Sequence, residues 1–138
     1  MTSTTSNIKL RILVVDDEPD ILWGLNALLK AESHYVKTFD NSSEALRHIT
    51  SSELALYDLV ITDYRMPGGI SGLVLAERVK EHTSRKTKVF LMTSFDVSSM
   101  NEFGEALKSG IVDEFIQKPI PNDKLIAIIE KSFLHNNH

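Results

Sequence analysis

The sequence of 138 residues has no cysteine, one tryptophan and four prolines, and it lacks long apolar runs. The absence of cysteine excludes disulfides, thiolate nucleophiles and Cys-ligated zinc. The longest apolar runs, such as residues 12–15, are far too short to span a bilayer, and residues 1–7 lack the apolar core of a signal peptide. We therefore predict a cytoplasmic protein.

Basic charge is also scarce: 15 Lys and Arg residues against 19 Asp and Glu residues give a formal net charge of −4. No basic run is long enough to follow a phosphate backbone, so nucleic acid is not expected as a direct partner. At roughly 100–200 residues per domain, the length predicts one domain and leaves no room in this chain for a DNA-binding output domain. We expect a folded domain over residues 10–134, a flexible segment at 1–9 and a frayed end at 135–138.

Short β-branched runs alternate with amphipathic stretches along the chain, which is typical of βα units around a parallel sheet. Strands are predicted at residues 12–15, 35–39, 59–62, 89–92 and around 115–116. Helices are predicted at 20–31, from 42 or 43 to about 49, at 72–80, before Gly110, and over the apolar positions from 125 to 133. The predicted fold class is α/β, with a five-stranded parallel sheet and five helices.

Local signals refine the helices. Asp20 is the predicted N-cap of the first helix, and Ser42 or Ser43 that of the second. The spacing of apolar residues predicts the buried face of the fourth helix, which consists of Met100, Phe103 and Leu107. Trp23 falls opposite the apolar face of the first helix and is expected to face solvent.

Polar residues follow four of the predicted strands directly. They are Asp16, Asp17, Asp63, Thr93 and Lys118. Because the carboxyl ends of parallel strands meet at one edge of a sheet, these side chains are expected to lie together. Three neighbouring carboxylates repel one another, which implies a cation. The ligands are hard oxygens without His or Cys, so Mg²⁺ is the expected ion, with Lys118 as a second positive charge.

A carboxylate beside Mg²⁺ and a lysine can attack the phosphorus of a phosphoryl donor, because both cations neutralise charge on the transferring oxygens. The hydroxyl of Thr93 can then donate a hydrogen bond to a phosphoryl oxygen. The sequence therefore indicates phosphoryl transfer to a carboxylate.

Four segments carry a family resemblance: ILVVDDEPD, DYRMPGGISG, MTS and IQKP, which end the first, third, fourth and fifth predicted strands. Together they resemble the receiver domain of bacterial or archaeal two-component response regulators, over about residues 10–134. The resemblance implies a flavodoxin-like, doubly wound sheet with the strand order 2-1-3-4-5.

The resemblance also implies roles for individual residues. Asp63 would be the phosphoacceptor, and Lys118 would pair with its carboxylate and with the phosphoryl group. Mg²⁺ would be held by Asp16, Asp17, Asp63 and the backbone carbonyl of Arg65. The Lys118-Pro119 peptide bond would be cis.

The implied switch consists of Thr93 and Phe115, and Phe115 lacks the hydroxyl of a tyrosine at that position. The implied partners are a histidine kinase or a phosphotransfer protein, an unidentified downstream protein, and a second copy bound through the fourth helix, fifth strand and fifth helix. The missing hydroxyl of Phe115 departs from the family pattern, and two further features do so as well. Thr93 and Lys118 are 25 positions apart, about one helical turn more than is usual, and Arg65 and Phe95 are bulky residues where side chains influence hydrolysis of the phosphoryl group.

Three alternatives compete with a phosphorylation switch that is not itself an enzyme. A phosphohydrolase with an aspartate nucleophile needs a general acid where this chain has Arg65, and needs room for a substrate cap. A flavodoxin-like cofactor binder needs a phosphate-binding loop, but residues 16–20 are acidic and repel phosphate. A receiver-like interaction module that works without phosphorylation stays open.

Overall fold

The computed structural model describes residues 8–50, 57–66, 69–94 and 101–134. Ten elements alternate along the chain: β1 Arg11–Val15, α1 Pro19–Ala31, β2 Tyr35–Phe39, α2 Ser42–Ile49, β3 Leu59–Asp63, α3 Gly72–His82, β4 Lys88–Thr93, α4 Asn101–Ser109, β5 Glu114–Gln117 and α5 Asn122–Leu134. All four strand pairings are parallel, in the order β2-β1-β3-β4-β5. The predicted fold class and strand order are confirmed.

The sheet separates two apolar layers because successive side chains of each strand point to opposite faces. Leu13 and Val15 of β1 pack with residues of α2, α3 and α4. Ile12 and Val14 pack on the other face with residues of α1 and α5. Both faces are covered, which explains why four of the five residues of β1 are apolar and why the first three residues of β3 are apolar in succession.

The predicted helix caps are wrong. The N-cap of α1 is Glu18, and Pro19 occupies the first turn, where the missing N–H of proline removes no hydrogen bond. Asp20 therefore lies inside the first turn. The N-cap of α2 is Asn41, whose side chain accepts a hydrogen bond from the Glu44 amide at 2.8 Å.

The apolar face of α4 is narrower than predicted. Phe103 is buried, as expected, but Leu107 is 46% exposed and Ala106 takes the inner position. Met100 lies outside the described residues. Among the helices that the structure describes, none has the length and apolar character needed to cross a membrane.

Candidate functional site

The polar residues after the strands are positioned by backbone hydrogen bonds that continue the sheet. The N–H groups of Asp16, Tyr64 and Lys118 donate to the carbonyls of Phe39, Met92 and Thr93, at 3.1, 2.8 and 2.8 Å respectively. Each of these residues is thereby attached to the neighbouring strand. The positions of the side chains at this edge follow from the sheet itself, and the Lys118-Pro119 bond is cis, as predicted.

An open pocket of about 260 Å³ lies at this edge, and we call it the acidic pocket. It is lined by Asp17, Glu18, Asp63, Arg65, Thr93, Ser94 and Lys118. Asp16 lies beside it, and one carboxylate oxygen from each of Asp16, Asp17 and Asp63 falls within 4.8 Å of the other two. Three carboxylates at this separation form an arrangement that a hard divalent cation fits.

The three carboxylates differ in their surroundings. Asp16 is 1% exposed, Asp63 is buried, and Asp17 is open to solvent. One oxygen of Asp16 accepts a hydrogen bond from the Glu18 amide at 2.9 Å, which fixes the orientation of its carboxylate. Because Asp17 is exposed, water can reach the site from the side of this residue.

The ammonium group of Lys118 lies among the acidic side chains. Its Nζ is 3.1 Å from Oδ1 of Asp63, 3.2 Å from Oδ2 of Asp16 and 3.3 Å from Oε1 of Glu18. The single positive charge of Lys118 is thus shared by the buried carboxylates of Asp16 and Asp63 and by the exposed carboxylate of Glu18. One positive charge compensates only part of the negative charge here.

The pKa values follow from this imbalance. Burial raises the pKa of Asp63 above its ordinary value, and repulsion by Asp16 raises it further. Burial also raises the pKa of Asp16. Burial acts to lower the pKa of Lys118, but the neighbouring carboxylates of Asp16 and Asp63 outweigh it, so this pKa is raised overall. The site disfavours its own negative charge and favours an added cation.

Phe115 lies apart from the other predicted site residues. Thr93 is buried and lines the acidic pocket, whereas the half-buried ring of Phe115 packs on Phe103 of α4 with 4.6 Å between ring centroids. Six of the seven predicted site residues therefore lie together, and Phe115 connects β5 to α4 instead. Phe95 lies outside the described residues.

Sequence reasoning missed Glu18, which reaches Lys118, and Gly72, which begins α3. The Gly72 amide donates to the Tyr64 carbonyl at 2.9 Å. A Cβ at this position would lie 2.7 Å from Cδ1 of Leu91 and 3.0 Å from Cα of Tyr64. Glycine is thus required where α3 approaches the backbone that follows Asp63. The sequence signal that could have identified Gly72 was its position as the last residue of the segment DYRMPGGISG.

The comparisons with known proteins agree with this architecture. A family model described as "response regulator receiver domain" matches residues 12–130. The DNA-binding transcriptional regulator NtrC of Escherichia coli (strain K12) is 30% identical over 124 residues, which cover 90% of this chain and 25% of that protein. The transcriptional regulatory protein ZraR of the same strain is 32% identical over 126 residues, covering 91% and 27%. The chain thus spans about a quarter of the length of these relatives.

Two solved structures are also similar. A response regulator receiver domain protein from Clostridium thermocellum has a TM-score of 0.79 and 30% identity, covering 91% of this chain and 95% of that one. The response regulator protein TrrA from Thermotoga maritima, in complex with Mg²⁺-BeF, has a TM-score of 0.70 and 35% identity, covering 90% and 98%.

Proposed function

Since the chain belongs to the response regulator receiver domain family, we propose that it accepts a phosphoryl group on Asp63, with Mg²⁺, from a histidine kinase or a phosphotransfer protein. The observation that carries this proposal is the position of Asp63, which lies 3.1 Å from Lys118 beside two further carboxylates in an open pocket. The chain is then a phosphoacceptor that assists its own phosphorylation and dephosphorylation, rather than an enzyme with a separate substrate.

The residues that would hold Mg²⁺ are Asp16, Asp17, Asp63 and the backbone carbonyl of Arg65. The three carboxylates fit a hard cation by donor type and mutual distance. The related protein TrrA, with its Mg²⁺-BeF complex, supports the same use of the site. When bound, Mg²⁺ neutralises charge on the phosphoryl oxygens.

The chain's own residues supply the rest of the transfer. An oxygen of Asp63 attacks the phosphorus of a phosphohistidine and forms the new P–O bond while the P–N bond breaks. The electron pair of the broken bond stays on the imidazole nitrogen, which takes up a proton from solvent. Lys118 lies beside the reacting carboxylate and stabilises the negative charge on the transferred group.

Phosphorylation would change the surface of α4, β5 and α5 through Thr93 and Phe115. The Thr93 hydroxyl lines the same pocket as Asp63, so movement toward a phosphoryl oxygen would displace the end of β4. Phe115 pairs in register with Leu91 of β4 and packs on Phe103 of α4. Space vacated by Thr93 would let Phe115 turn inward and alter the face through which a downstream protein or a second copy binds.

We propose that the phosphoryl donor docks on α1, where Trp23 is 75% exposed. An open, largely apolar groove of about 240 Å³ lies against the same helix, between Ile21 and Ile120, although Trp23 itself does not line it. Lys118 lines both this groove and the acidic pocket, so a protein in the groove would be next to Asp63. We expect Trp23→Ala to slow phosphorylation by a histidine kinase and to leave phosphorylation by acetyl phosphate unchanged.

Incubation with acetyl phosphate and Mg²⁺, read by intact mass, tests the central proposal. The parent protein is expected to gain the mass of one phosphoryl group, and Asp63→Asn is expected to gain none. Asp123→Asn, at an exposed position on α5, is the matched control and should behave like the parent. A labile phosphate that peptide mapping placed on another residue would contradict the assignment. An unmodified parent protein would instead favour the receiver-like interaction module.

A further inference from the structure

A second groove lies between the outer strand β2 and helix α2, and we call it the β2–α2 groove. It has a volume of about 470 Å³. The residues that line it include Tyr35, Lys37, Phe39, Arg47, His48 and Tyr57. None of these six lines the acidic pocket. The groove is therefore a separate surface, which the phosphoryl-transfer site does not use.

The backbone of β2 is open along this groove. The Tyr35 amide donates to Leu10 and the Phe39 carbonyl accepts from Asp16, so the backbone groups of residues 35, 37 and 39 face β1. The backbone N–H and C=O groups of successive residues in a strand point to opposite sides. The groups of Val36 and Thr38 therefore face away from β1. In the described part of the chain no strand pairs with that edge. An extended peptide can add there as a sixth strand.

The groove is positively charged although the chain as a whole carries −4. Lys37 and Arg47 are exposed, and within the described residues neither forms a salt bridge. Glu44 is the acidic side chain that lines the groove. Because Lys37 and Arg47 outnumber the single carboxylate of Glu44, the groove favours an acidic binding partner.

The aromatic rings of the groove pack against one another. Phe39 and His48 have ring centroids 5.3 Å apart, and His48 meets Tyr57 edge-on at 5.5 Å. The guanidinium of Arg11 lies 4.1 Å from the centroid of the Tyr35 ring. Rings in this arrangement form an apolar floor for side chains and do not form a slot in which a nucleic-acid base stacks on two sides.

We propose that the β2–α2 groove binds an extended acidic segment of a partner protein, which adds to β2 as a strand. Tyr35, Lys37 and Phe39 point to the same face of the sheet, so the added strand meets them with every second residue. The matching pattern is an acidic residue opposite Lys37, flanked two positions away on each side by an apolar residue opposite Tyr35 and Phe39. The outward groups of Val36 and Thr38 hydrogen-bond to its backbone.

A second copy of this chain that pairs with Lys37 at the centre does not fit the same edge. Antiparallel pairing of β2 with itself, centred on Lys37, would place two lysines opposite each other, and like charges at that position destabilise the pair. The cation at the centre of the edge strand therefore discourages self-association and favours an acidic partner.

Fluorescence anisotropy with synthetic peptides tests the proposal. The probe is a labelled Thr-Val-Thr-Glu-Thr-Val-Thr peptide, capped at both ends, and the comparison peptide has Lys in place of Glu. The acidic peptide is expected to bind the full chain, and Lys37→Glu should weaken this binding by about tenfold, since an attraction at an exposed position becomes a repulsion. Lys108→Glu, an equal charge change on exposed α4, is the matched control and should leave binding unchanged.

Two further measurements distinguish a binding role of Lys37 from a structural one: exchanging the charges of the protein and the peptide, and hydrogen exchange of backbone amides. Lys37→Glu is expected to bind the Lys peptide better than the parent does, which a merely unstable variant would not do. Bound acidic peptide should slow hydrogen exchange of the Val36 and Thr38 amides. Equal binding of both peptides, no binding of the acidic one, or tighter binding of a single-stranded oligonucleotide would each overturn the proposal.

Discussion

The phenolic hydroxyl of Tyr64 donates a hydrogen bond of 2.7 Å to the carboxylate of Glu102. Tyr64 follows Asp63 directly, and Glu102 lies in the first turn of α4. The Tyr64 ring also meets Phe103 edge-on, with centroids 5.1 Å apart, and Phe103 packs on Phe115. The chain segment that carries the proposed phosphoacceptor is thus in contact with α4 before any phosphorylation.

Tyr64→Phe removes this hydrogen bond and keeps the ring contact with Phe103. We expect the free energy of unfolding at neutral pH to fall by about 0.5–1.5 kcal/mol, as for an ordinary hydrogen bond. Urea denaturation measures it. Tyr35→Phe is the matched control, because the Tyr35 hydroxyl forms no hydrogen bond with any of the residues that the structure describes, and it should change stability less. Equal stability of Tyr64→Phe and the parent would contradict the contribution of this bond.

The hydrogen bond between Tyr64 and Glu102 also predicts that the free energy of unfolding depends on pH in the alkaline range. The hydrogen bond to Glu102 and partial burial raise the pKa of Tyr64 above its ordinary value of 10.0. A raised phenol pKa stabilises the folded protein fully below the unfolded pKa, and this contribution is lost as pH rises through the folded value. The stability difference between the parent and Tyr64→Phe should therefore shrink above about pH 10. A difference that stays constant through that range would show that the hydroxyl does not titrate against Glu102.

Asp63→Asn is expected to stabilise the protein in the presence of a chelator at neutral pH. Burial and the Asp16 carboxylate raise the pKa of Asp63 above 3.8, so the folded state disfavours its ionised form. This penalty is fully present above the raised pKa of Asp63 and disappears as pH falls through that pKa toward 3.8. Urea midpoints at several pH values should show the variant's advantage shrinking in acid. Mg²⁺ should narrow the difference by stabilising the parent more, and a less stable variant at pH 7 would contradict the prediction.

Gly72→Ala and Gly104→Ala form a matched pair of helix substitutions. The new methyl group at residue 72 would meet Leu91 and the backbone of Tyr64, whereas at residue 104 it meets nothing within 4 Å. We expect Gly104→Ala to raise stability by about 0.5–1 kcal/mol, because alanine favours a helix. Gly72→Ala should instead lower stability, since α3 must move away from the backbone after Asp63. Thermal unfolding of both variants distinguishes them, and two equal gains would contradict the close approach at residue 72.

Lys80 and Asp113 form a further ion pair, and neither residue lines the acidic pocket. The side chain of Lys80 is buried, and that of Asp113 is partly exposed. Lys80 Nζ is 2.7 Å from Oδ2 of Asp113, and the same oxygen accepts the Val89 amide at 2.8 Å. Lys80→Met leaves that carboxylate without its cation, which should cost about 3 kcal/mol of stability. Adding Asp113→Asn should recover part of the loss, because the amide oxygen still accepts from Val89. Purely additive effects of the two substitutions in urea denaturation would show that the residues do not interact.

Much of the fold was predictable because the strands are covered on both faces. The run of residues 12–15, for example, is apolar at every position and is bounded by the charged residues Arg11 and Asp16. The candidate site was predictable for a related reason, since strands that run in parallel bring their final residues to one edge. Asp16, Asp63 and Lys118 could therefore be placed together without knowledge of any loop.

Features that depend on contacts between helices were not predictable. Leu107 has the spacing of a buried residue, but α4 reaches the core only through Phe103 and Ala106. The contact of Tyr64 with α4 joins positions far apart in the sequence, and no periodicity indicates it. The ring of His48 packs between Phe39 and Tyr57, and no spacing in the sequence indicates this contact. Each of these depends on how one helix lies on the sheet.

The hydrogen bond from the Lys118 amide to the Thr93 carbonyl joins two residues that are 25 positions apart. Closing a flexible loop costs only about 0.6 kcal/mol more for each doubling of its length. Insertions and deletions between these residues can therefore change α4 and its surroundings while this backbone hydrogen bond keeps Lys118 attached to the end of β4. Over evolutionary time, such a fold can acquire new recognition surfaces by changing this segment, without rebuilding its chemistry.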